Sequence, residues 1–447
     1  QPAMIIPRPL RTGAPPGRPT PWPTISGYPL RTRPRTALRT ASPDTPTALA
    51  DAPQRMTAVE RRTSLALAAV YALRMLGLFI VLPVFALQAR HYPGGDDPAL
   101  VGLAMGAYGL TQALLQVPLG MASDRLGRKP VILAGLALFV LGSMVAAWAP
   151  SMAWLAVGRA LQGAGAISAA VTALLADLTR DGVRTKAMAL VGISIALMFA
   201  LSLVAAPVLV AHVGLSGLFV LTATLALAAM AVVAWVVPPE PGSHIDAPRA
   251  RLGEVLRDAE LLRVDVGVFV LHAAQIMTWL SVPALLLQAG LDTAQHWHIY
   301  LPAVGASLLI VGGLLFRLER QGHFRAVYLG TIALIGLVQL GFLTQLQAPG
   351  LAALGVLLCL YFVGFNTQEA SQPSLASRLA APHQRGTALG VYNTLMSLGI
   401  FAGGAVGGVV ASAWGASGIF VFSAALVLIW LLVAWPMKSV GATSTRA

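Results

Sequence analysis

The chain has 447 residues, of which 57% are hydrophobic and only 11% are charged, and its mean hydropathy is +0.74. A soluble protein of this size usually has about twice that charged fraction. Apolar runs of about 20 residues, long enough to cross a bilayer as a helix, recur from Leu65 onward, so we exclude a soluble globular protein. The net charge of +13 does not indicate nucleic-acid binding, because most Lys and Arg residues are in the N-terminal tail and in short loops. The single cysteine, Cys359, excludes a disulfide framework and a cysteine-based metal site.

The first segment, residues 1–55, is rich in Pro, Arg and Thr and contains few large apolar residues. This composition cannot bury enough surface to offset the conformational entropy of the chain, so we expect a disordered, basic, Pro-rich tail. No apolar segment is followed by a small-residue cleavage site, as in a secretory signal. We interpret the tail as functionally silent, or as translated upstream of a start at Met56.

The apolar runs beyond the tail predict twelve membrane-spanning helices. An even number of spans places both ends of the chain on the same side of the membrane. The predicted spans are 63–88, 98–121, 130–149, 153–178, 187–213, 216–237, 264–288, 297–317, 325–346, 350–378, 387–412 and 416–436.

The basic residues between the spans predict the orientation. Every second loop carries Lys or Arg, whereas the loops on the opposite side are nearly free of them. Since positively charged loops stay in the cytoplasm, we expect both termini there. The basic residues of the cytoplasmic set are Arg61, Arg62, Arg125, Arg128, Lys129, Arg180, Arg184, Lys186, Arg249, Arg251, Arg257, Arg320, Arg325, Arg385 and Lys438.

A longer loop divides the spans six and six. Residues 238–262 begin with Pro, Glu and Pro and continue as a charged amphipathic segment, which predicts a cytoplasmic linker. It separates an N-terminal six-helix bundle, residues 56–237, from a C-terminal one, residues 263–437, and a short tail, 438–447, follows. A weak echo of the hairpin between spans two and three, at 319–322, supports two related halves.

The hairpin Gly120–Lys129 lies between spans two and three and contains four charges and two glycines. Its spacing resembles the G-x-L-A-D-R-x-G-R-K signature of the major facilitator superfamily of secondary transporters. Ala122 and Ser123 replace the Leu and Ala of that signature, and every charged and glycine position matches. The resemblance implies an all-α membrane protein with the major facilitator fold, in the inner membrane of a bacterium. The hairpin positions that match are Gly120, Asp124, Arg125, Gly127, Arg128 and Lys129.

The resemblance also implies a cytoplasmic gate. Asp124 would dock at the start of span eleven, in the other half, and Arg128 would pair with Asp177 at the inner end of span four. These contacts would hold the cytoplasmic side closed while the cavity opens outward. An alternative for Arg125 and Lys129 is that they only enforce topology.

Four ionisable residues lie within spans, where a charge is costly and usually faces the protein interior. They are Arg74, Arg159, His272 and Glu369. The resemblance implies that spans one, four, seven and ten, which carry them, line the central cavity. We expect Arg74 to line the substrate cavity together with the polar residues Gln112, Gln162, Gln275, Asn366, Gln372 and Asn393.

We assign proton coupling to Glu369, His272 and Arg159. Burial raises the pKa of a carboxylic acid and a nearby cation lowers it, so Glu369 is the candidate proton carrier and His272 the second titrating group. The alternative is a static ion pair of Glu369 with His272 or an arginine. Arg159 cannot deprotonate, so its expected role is electrostatic. Arg74 is also a candidate for binding an anionic substrate group.

We therefore predict a secondary transporter driven by the proton gradient, not an enzyme, which exports a lipophilic compound or drug in exchange for protons. Ala206 precedes Pro207 in span five, where antiporters of this superfamily often have Gly-Pro, which weakens the antiport prediction. The alternatives are a symporter that imports a nutrient and a non-transporting sensor or scaffold. The expected partners are the small-molecule substrate, protons and the bilayer, and we expect a monomer with no cofactor, metal or nucleic acid.

Overall fold

The helices account for nearly all of the chain that is described. The computed structural model describes residues 56–239, 252–381 and 384–437. The predicted tails, 1–55 and 438–447, and about half of the linker 238–262 lie outside those residues. The described residues contain no β-strand, so the predicted all-α class is confirmed.

Seven α-helices form the N-terminal half. The first is fixed by a capping box, in which the Thr57 hydroxyl accepts from the Glu60 N–H and the Glu60 carboxylate accepts from the Thr57 N–H. The helices are α1 (Ala58–Phe79), α2 (Leu82–Ala89), α3 (Pro98–Leu126), α4 (Arg128–Ala147), α5 (Met152–Ala164), α6 (Ser168–Asp177) and α7 (Asp181–Ala231), which ends in a π-helical turn, Val232–Val236.

The C-terminal half also contains seven α-helices. The Asp258 carboxylate accepts hydrogen bonds from the N–H groups of Glu260 and Leu261, so the first span of this half begins before the predicted boundary at 263. The helices are α8 (Leu252–Val255), α9 (Ala259–Gln288), α10 (Trp297–Ile310), α11 (Phe316–Leu318), α12 (Phe324–Leu343), α13 (Leu351–Leu379) and α14 (Arg385–Ala434), with π-helical turns at Val311–Leu315 and Glu319–His323 and a 3₁₀ turn at Thr293–Gln295.

Two predicted spans are each made of two helices. Span one bends between α1 and α2, and Pro83, in the first turn of α2, has no backbone N–H. Span four, predicted as one helix over 153–178, breaks between α5 and α6. At the break, a Cβ on Gly165 would lie 2.3 Å from the carbonyl oxygen of Gly135 in α4, so this segment packs directly on a neighbouring backbone.

Two helices are too long to be single spans. α7 has 51 residues and α14 has 50, which as straight helices would extend about 75 Å across a hydrocarbon layer of about 30 Å. Each is interrupted by a glycine with left-handed backbone, Gly214 at φ 64° and Gly415 at φ 63°. Nine stretches of the described chain are long and apolar enough to cross a membrane. The count of twelve spans stays a prediction.

The hydrophobic core joins the two halves at one end only. We call the end that carries the hairpin Gly120–Lys129 inner, and the opposite end outer. Outer residues of the N-terminal half, such as Phe85 and Val101, belong to one core cluster with Trp279 and Phe362 of the other half. The inner ends of the N-terminal half have a cluster of their own, which contains no residue of the other half. The described chain is therefore closed outside and parted inside.

Glycines allow the closure at the outer end. α3 and α14 cross there with backbones in contact: a Cβ on Gly404 would lie 2.4 Å from the Gly102 carbonyl oxygen and 2.6 Å from the Gly106 nitrogen. At the inner end of α14, by contrast, a Cβ on Gly386 or Gly390 would meet nothing within 4 Å. Small residues thus let these two helices approach at one end.

We predict that Gly404→Ala destabilises the protein by about 1–3 kcal/mol, because the new methyl group must push apart two backbones. Gly305→Ala in α10 is the matched control, since its Cβ would meet nothing within 4 Å. The measurement is the melting temperature of both variants in detergent. Equal melting temperatures would contradict the close crossing of α3 and α14.

Candidate functional site

The hairpin at the inner end is organised around Arg128. Its guanidinium contacts the carboxylate of Asp124, four residues earlier, through Nη1. Its Nε lies 3.3 Å from Oδ2 of Asp177, and Nη1 also donates to the Ser123 hydroxyl at 2.8 Å. The contact between Arg128 and Asp177 that the resemblance implied is therefore present. It ties the start of α4 to the end of α6.

The other hairpin residues have different environments. The Lys129 ammonium donates to the carbonyl oxygen of Val237 at 2.8 Å, which ties α4 to the end of span six. Gly127 has a φ of 96°, so its backbone makes the turn between α3 and α4. Arg125 is exposed, and Gly120 lies against Ala169 of α6. Docking of Asp124 at the start of span eleven stays a prediction.

In the C-terminal half, His272 of α9 and Glu369 of α13 lie together near mid-membrane. His272 Nε2 is 3.6 Å from Glu369 Oε2, and His272 Nδ1 is 3.0 Å from the Val268 carbonyl oxygen. The Glu369 side chain is 39% exposed, whereas that of His272 is 7% exposed. The Glu369 side chain is therefore the more accessible member of the pair.

Around this pair, α13 carries amides with defined partners. The Gln368 amide donates to the Tyr328 carbonyl and the Thr331 hydroxyl, both at 2.8 Å, and the Gln372 amide donates to Gln368 at 3.2 Å. Asn366 donates to the Ser307 hydroxyl at 3.1 Å. These bonds hold α13 against α10 and α12. Of the other predicted cavity residues, Gln275 is buried on α9 and Asn393 is partly exposed on α14.

Arg74 and Arg159 lie within the N-terminal half, on either side of Tyr108 of α3. Arg74 Nη2 donates to the Tyr108 hydroxyl at 2.8 Å. The Arg159 guanidinium carbon lies 5.1 Å from the centre of the Tyr108 ring. Each arginine is only 1% exposed, and each has a buried Nε without a hydrogen-bond partner in the described chain.

A polar chain extends from Arg159. Its Nη1 donates to Gln162 at 2.8 Å, and Gln162 in turn donates to the Ser143 hydroxyl at 2.8 Å. Gln112 and Gln116 are buried on α3, and Gln116 has neither amide atom bonded to a described partner. The four predicted charges thus form two groups, one in each half, rather than a single cavity lining.

Aromatic rings connect the halves near mid-membrane. Phe199 of α7 lies 5.2 Å from Phe79 of α1 and 5.9 Å from Phe365 of α13, measured between ring centres. The Phe365 ring is also 6.2 Å from the His272 ring. The contact between Phe199 and Phe365 therefore joins the two halves beside the His272–Glu369 pair.

The sequence interpretation missed three residues. Tyr108 contacts both arginines, although a tyrosine in an apolar run gives no charge signal. Asp265, only 3% exposed, lies seven residues before His272 and hence on the same face of α9. Tyr392 of α14 is buried, with its hydroxyl unpartnered among described atoms. The seven-residue spacing between Asp265 and His272 was the sequence signal that could have identified Asp265.

Relatives of known name are transporters. The chain is 39% identical over 389 residues to the inner membrane transport protein YajR of Escherichia coli (strain K12), covering 86% of this chain and 85% of the relative. It is 30% identical over 354 residues to the multidrug resistance protein MdtH of Aeromonas salmonicida (strain A449), covering 75% and 84%. These relatives are transporters rather than enzymes.

Solved structures share the fold. The human organic anion transporter MFSD10 (TETRAN) superposes with a TM-score of 0.63 at 20% identity, covering 84% of this chain and 99% of that one. The nucleoside transporter NupG superposes with a TM-score of 0.66 at 13% identity, covering the same shares. The family model for the Major Facilitator Superfamily matches residues 67–404. The chain therefore belongs to the major facilitator superfamily, whose members transport small molecules across membranes.

Proposed function

We propose that this protein is a proton-coupled antiporter that exports small lipophilic compounds by alternating access. The observation that carries the proposal is the contact between Glu369 and His272, which places two titratable side chains together near mid-membrane. Ionisable residues at this depth are characteristic of proton pathways. The described residues contain no group of three or more His, Cys, Asp or Glu side chains that could hold a metal.

The described chain, which is closed at the outer end and parted at the inner end, is the starting state of the proposed cycle. With the outer ends closed and the inner ends parted, Glu369 faces the cytoplasmic side and releases its proton there. Substrate enters, the inner ends close, and the outer ends separate. A proton from outside then neutralises Glu369 and weakens its attraction to His272, which favours release of the substrate and return.

Export, rather than import, is supported by a relative's name. MdtH is named a multidrug resistance protein, and drug resistance is a consequence of efflux. We place the protein in the inner membrane of a bacterium, as YajR is named, with both termini in the cytoplasm. A symporter would move protons and substrate in the same direction, so the direction of proton flux distinguishes a symporter from an antiporter.

We predict that Glu369→Gln abolishes pH-driven transport, because the amide keeps the shape and cannot carry a proton. Proteoliposomes containing the whole chain and a trapped pH indicator would be challenged with a panel of lipophilic dyes. Substrate movement should shift the internal pH with wild type and not with the variant. Glu254→Gln is the control, since Glu254 is an exposed carboxylate in α8 that bonds Gln384.

Transport by Glu369→Gln at the wild-type rate, still driven by pH, would refute Glu369 as the proton carrier. Protons and dye moving in the same direction with wild type would identify a symporter instead.

We also predict that Asp124→Asn slows transport by about five- to thirtyfold. An ion pair near the surface and a carboxylate at a helix N-terminus each contribute up to about 1 kcal/mol to the state that they hold. Arg125→Gln is the control, since Arg125 is an exposed charge in the same hairpin. Initial rates are measured in proteoliposomes at matched protein content. A normal rate for Asp124→Asn would argue against a gate at Asp124.

A further inference from the structure

The break in span four places the N-terminus of a helix inside the N-terminal half, where Ala166 and Ile167 are each only 1% exposed. α5 ends at Ala164, and the ten-residue helix α6 begins at Ser168. Ile167, which precedes α6, makes no side-chain cap, and outside the helices the N–H groups of Ala166 and Ile167 donate to no backbone acceptor in the described chain; the first N–H groups of a helix have no partner within it. Such a terminus carries a partial positive charge of about half a unit.

A buried cation lies at this positive end. Arg74 Nη1 is 3.3 Å from the hydroxyl of Ser168, the first residue of α6, and its Nη2 is 3.5 Å from the carbonyl oxygen of Gly165. Arg74 is 1% exposed, and its Nε is unpartnered among described atoms. The ion pairs of the described residues include none with Arg74 or Arg159.

Two positive groups in contact within a membrane protein repel each other and lack a counter-charge. Arg74 is hydrogen-bonded to Ser168, Tyr108 and Gly165, but no ion pair of the described residues includes it, although buried charges are generally paired. A guanidinium, free backbone N–H groups and a hydroxyl together form the chemistry that binds a carboxylate. Broken helices of transporters use their N-termini in this way.

We propose that Arg74 and the N-terminus of α6 bind a carboxylate-sized monoanion, which is the anionic group of the transported compound. Ser168, Ala169 and Thr172 are partly exposed, so the anion enters beside them from the parted inner side. The opposite side is closed, since Gly165 packs on Gly135. The proposal rests on the proposed function only in taking the anion as part of the cargo.

The site also changes the energetics of the proposed exchange. Export of one monoanion in return for one proton moves two elementary charges in the inward direction. An inside-negative membrane potential therefore drives this exchange, in addition to the pH gradient. Exchange of a neutral compound for a proton moves only one charge.

The test uses the full chain in detergent, in a zwitterionic buffer, with melting temperature as the readout. The probes are sodium acetate and sodium benzoate, their neutral amides acetamide and benzamide, and sodium chloride. Each carboxylate and its amide differ mainly in charge. A carboxylate present at ten times its dissociation constant should raise the melting temperature by about 1–2 °C, and the amides should not.

Arg74→Gln should lose this response and, without anion, should melt at or above wild type. Arg159→Gln is the matched control, because Arg159 is equally buried on Tyr108 but bonds Gln162 instead of the α6 terminus. It should keep most of the response.

No response of wild type to any anion, an unchanged response in Arg74→Gln, or equal loss in Arg159→Gln would each overturn the proposed site. A response to chloride as large as that to the carboxylates would overturn its assignment to the cargo and identify an inorganic anion. These measurements need no proton gradient, so they stand even if Glu369 proves not to carry protons.

Discussion

The cost of placing charge within a membrane governs how this protein is built. The charge of Glu369 is compensated by a titratable partner, His272, 3.6 Å away, and its side chain is partly exposed. The buried charges of Arg74 and Arg159 are compensated only in part, by hydrogen bonds and by their contacts with the same aromatic residue, Tyr108. The two halves therefore have different electrostatic character: the C-terminal half holds a pair whose charge can be neutralised by a proton, and the N-terminal half holds fixed positive charge.

Glycines, which have no side chain, allow the two halves to approach closely at the outer end. Gly102 and Gly404 bring α3 and α14 into backbone contact, so dispersion contacts between main chains add to the hydrophobic core that joins the halves at this end. The same two helices have no comparable contact at Gly386 and Gly390, where α14 begins. Backbone contact at one end and open space at the other correspond to one of the two states that rocking halves would adopt.

Much of this arrangement is predictable from sequence because charges are conspicuous in apolar runs. The contact of Arg128 with Asp177 and the proximity of His272 to Glu369 both follow from such residues. Asp265 was missed because it lies at the end of a span, where a charge reads as part of a loop. The direction of Arg74 and Arg159 into their own bundle was not predictable, since the rotation of a helix about its axis depends on its neighbours. The break at Gly165 likewise depends on Gly135, thirty residues away and on another helix.

The short helix α6 connects Arg74 with the hairpin, two features that lie far apart in the sequence. Its first residue, Ser168, contacts Arg74, and its last, Asp177, contacts Arg128 of the hairpin. Ten residues of helix extend about 15 Å, so the two contacts are joined by one rigid element. An acid at a helix C-terminus is unfavourable by itself, and Arg128 offsets that cost. Movement of the hairpin in the proposed gate would therefore act through α6 on the environment of Arg74, since the same short helix contacts both.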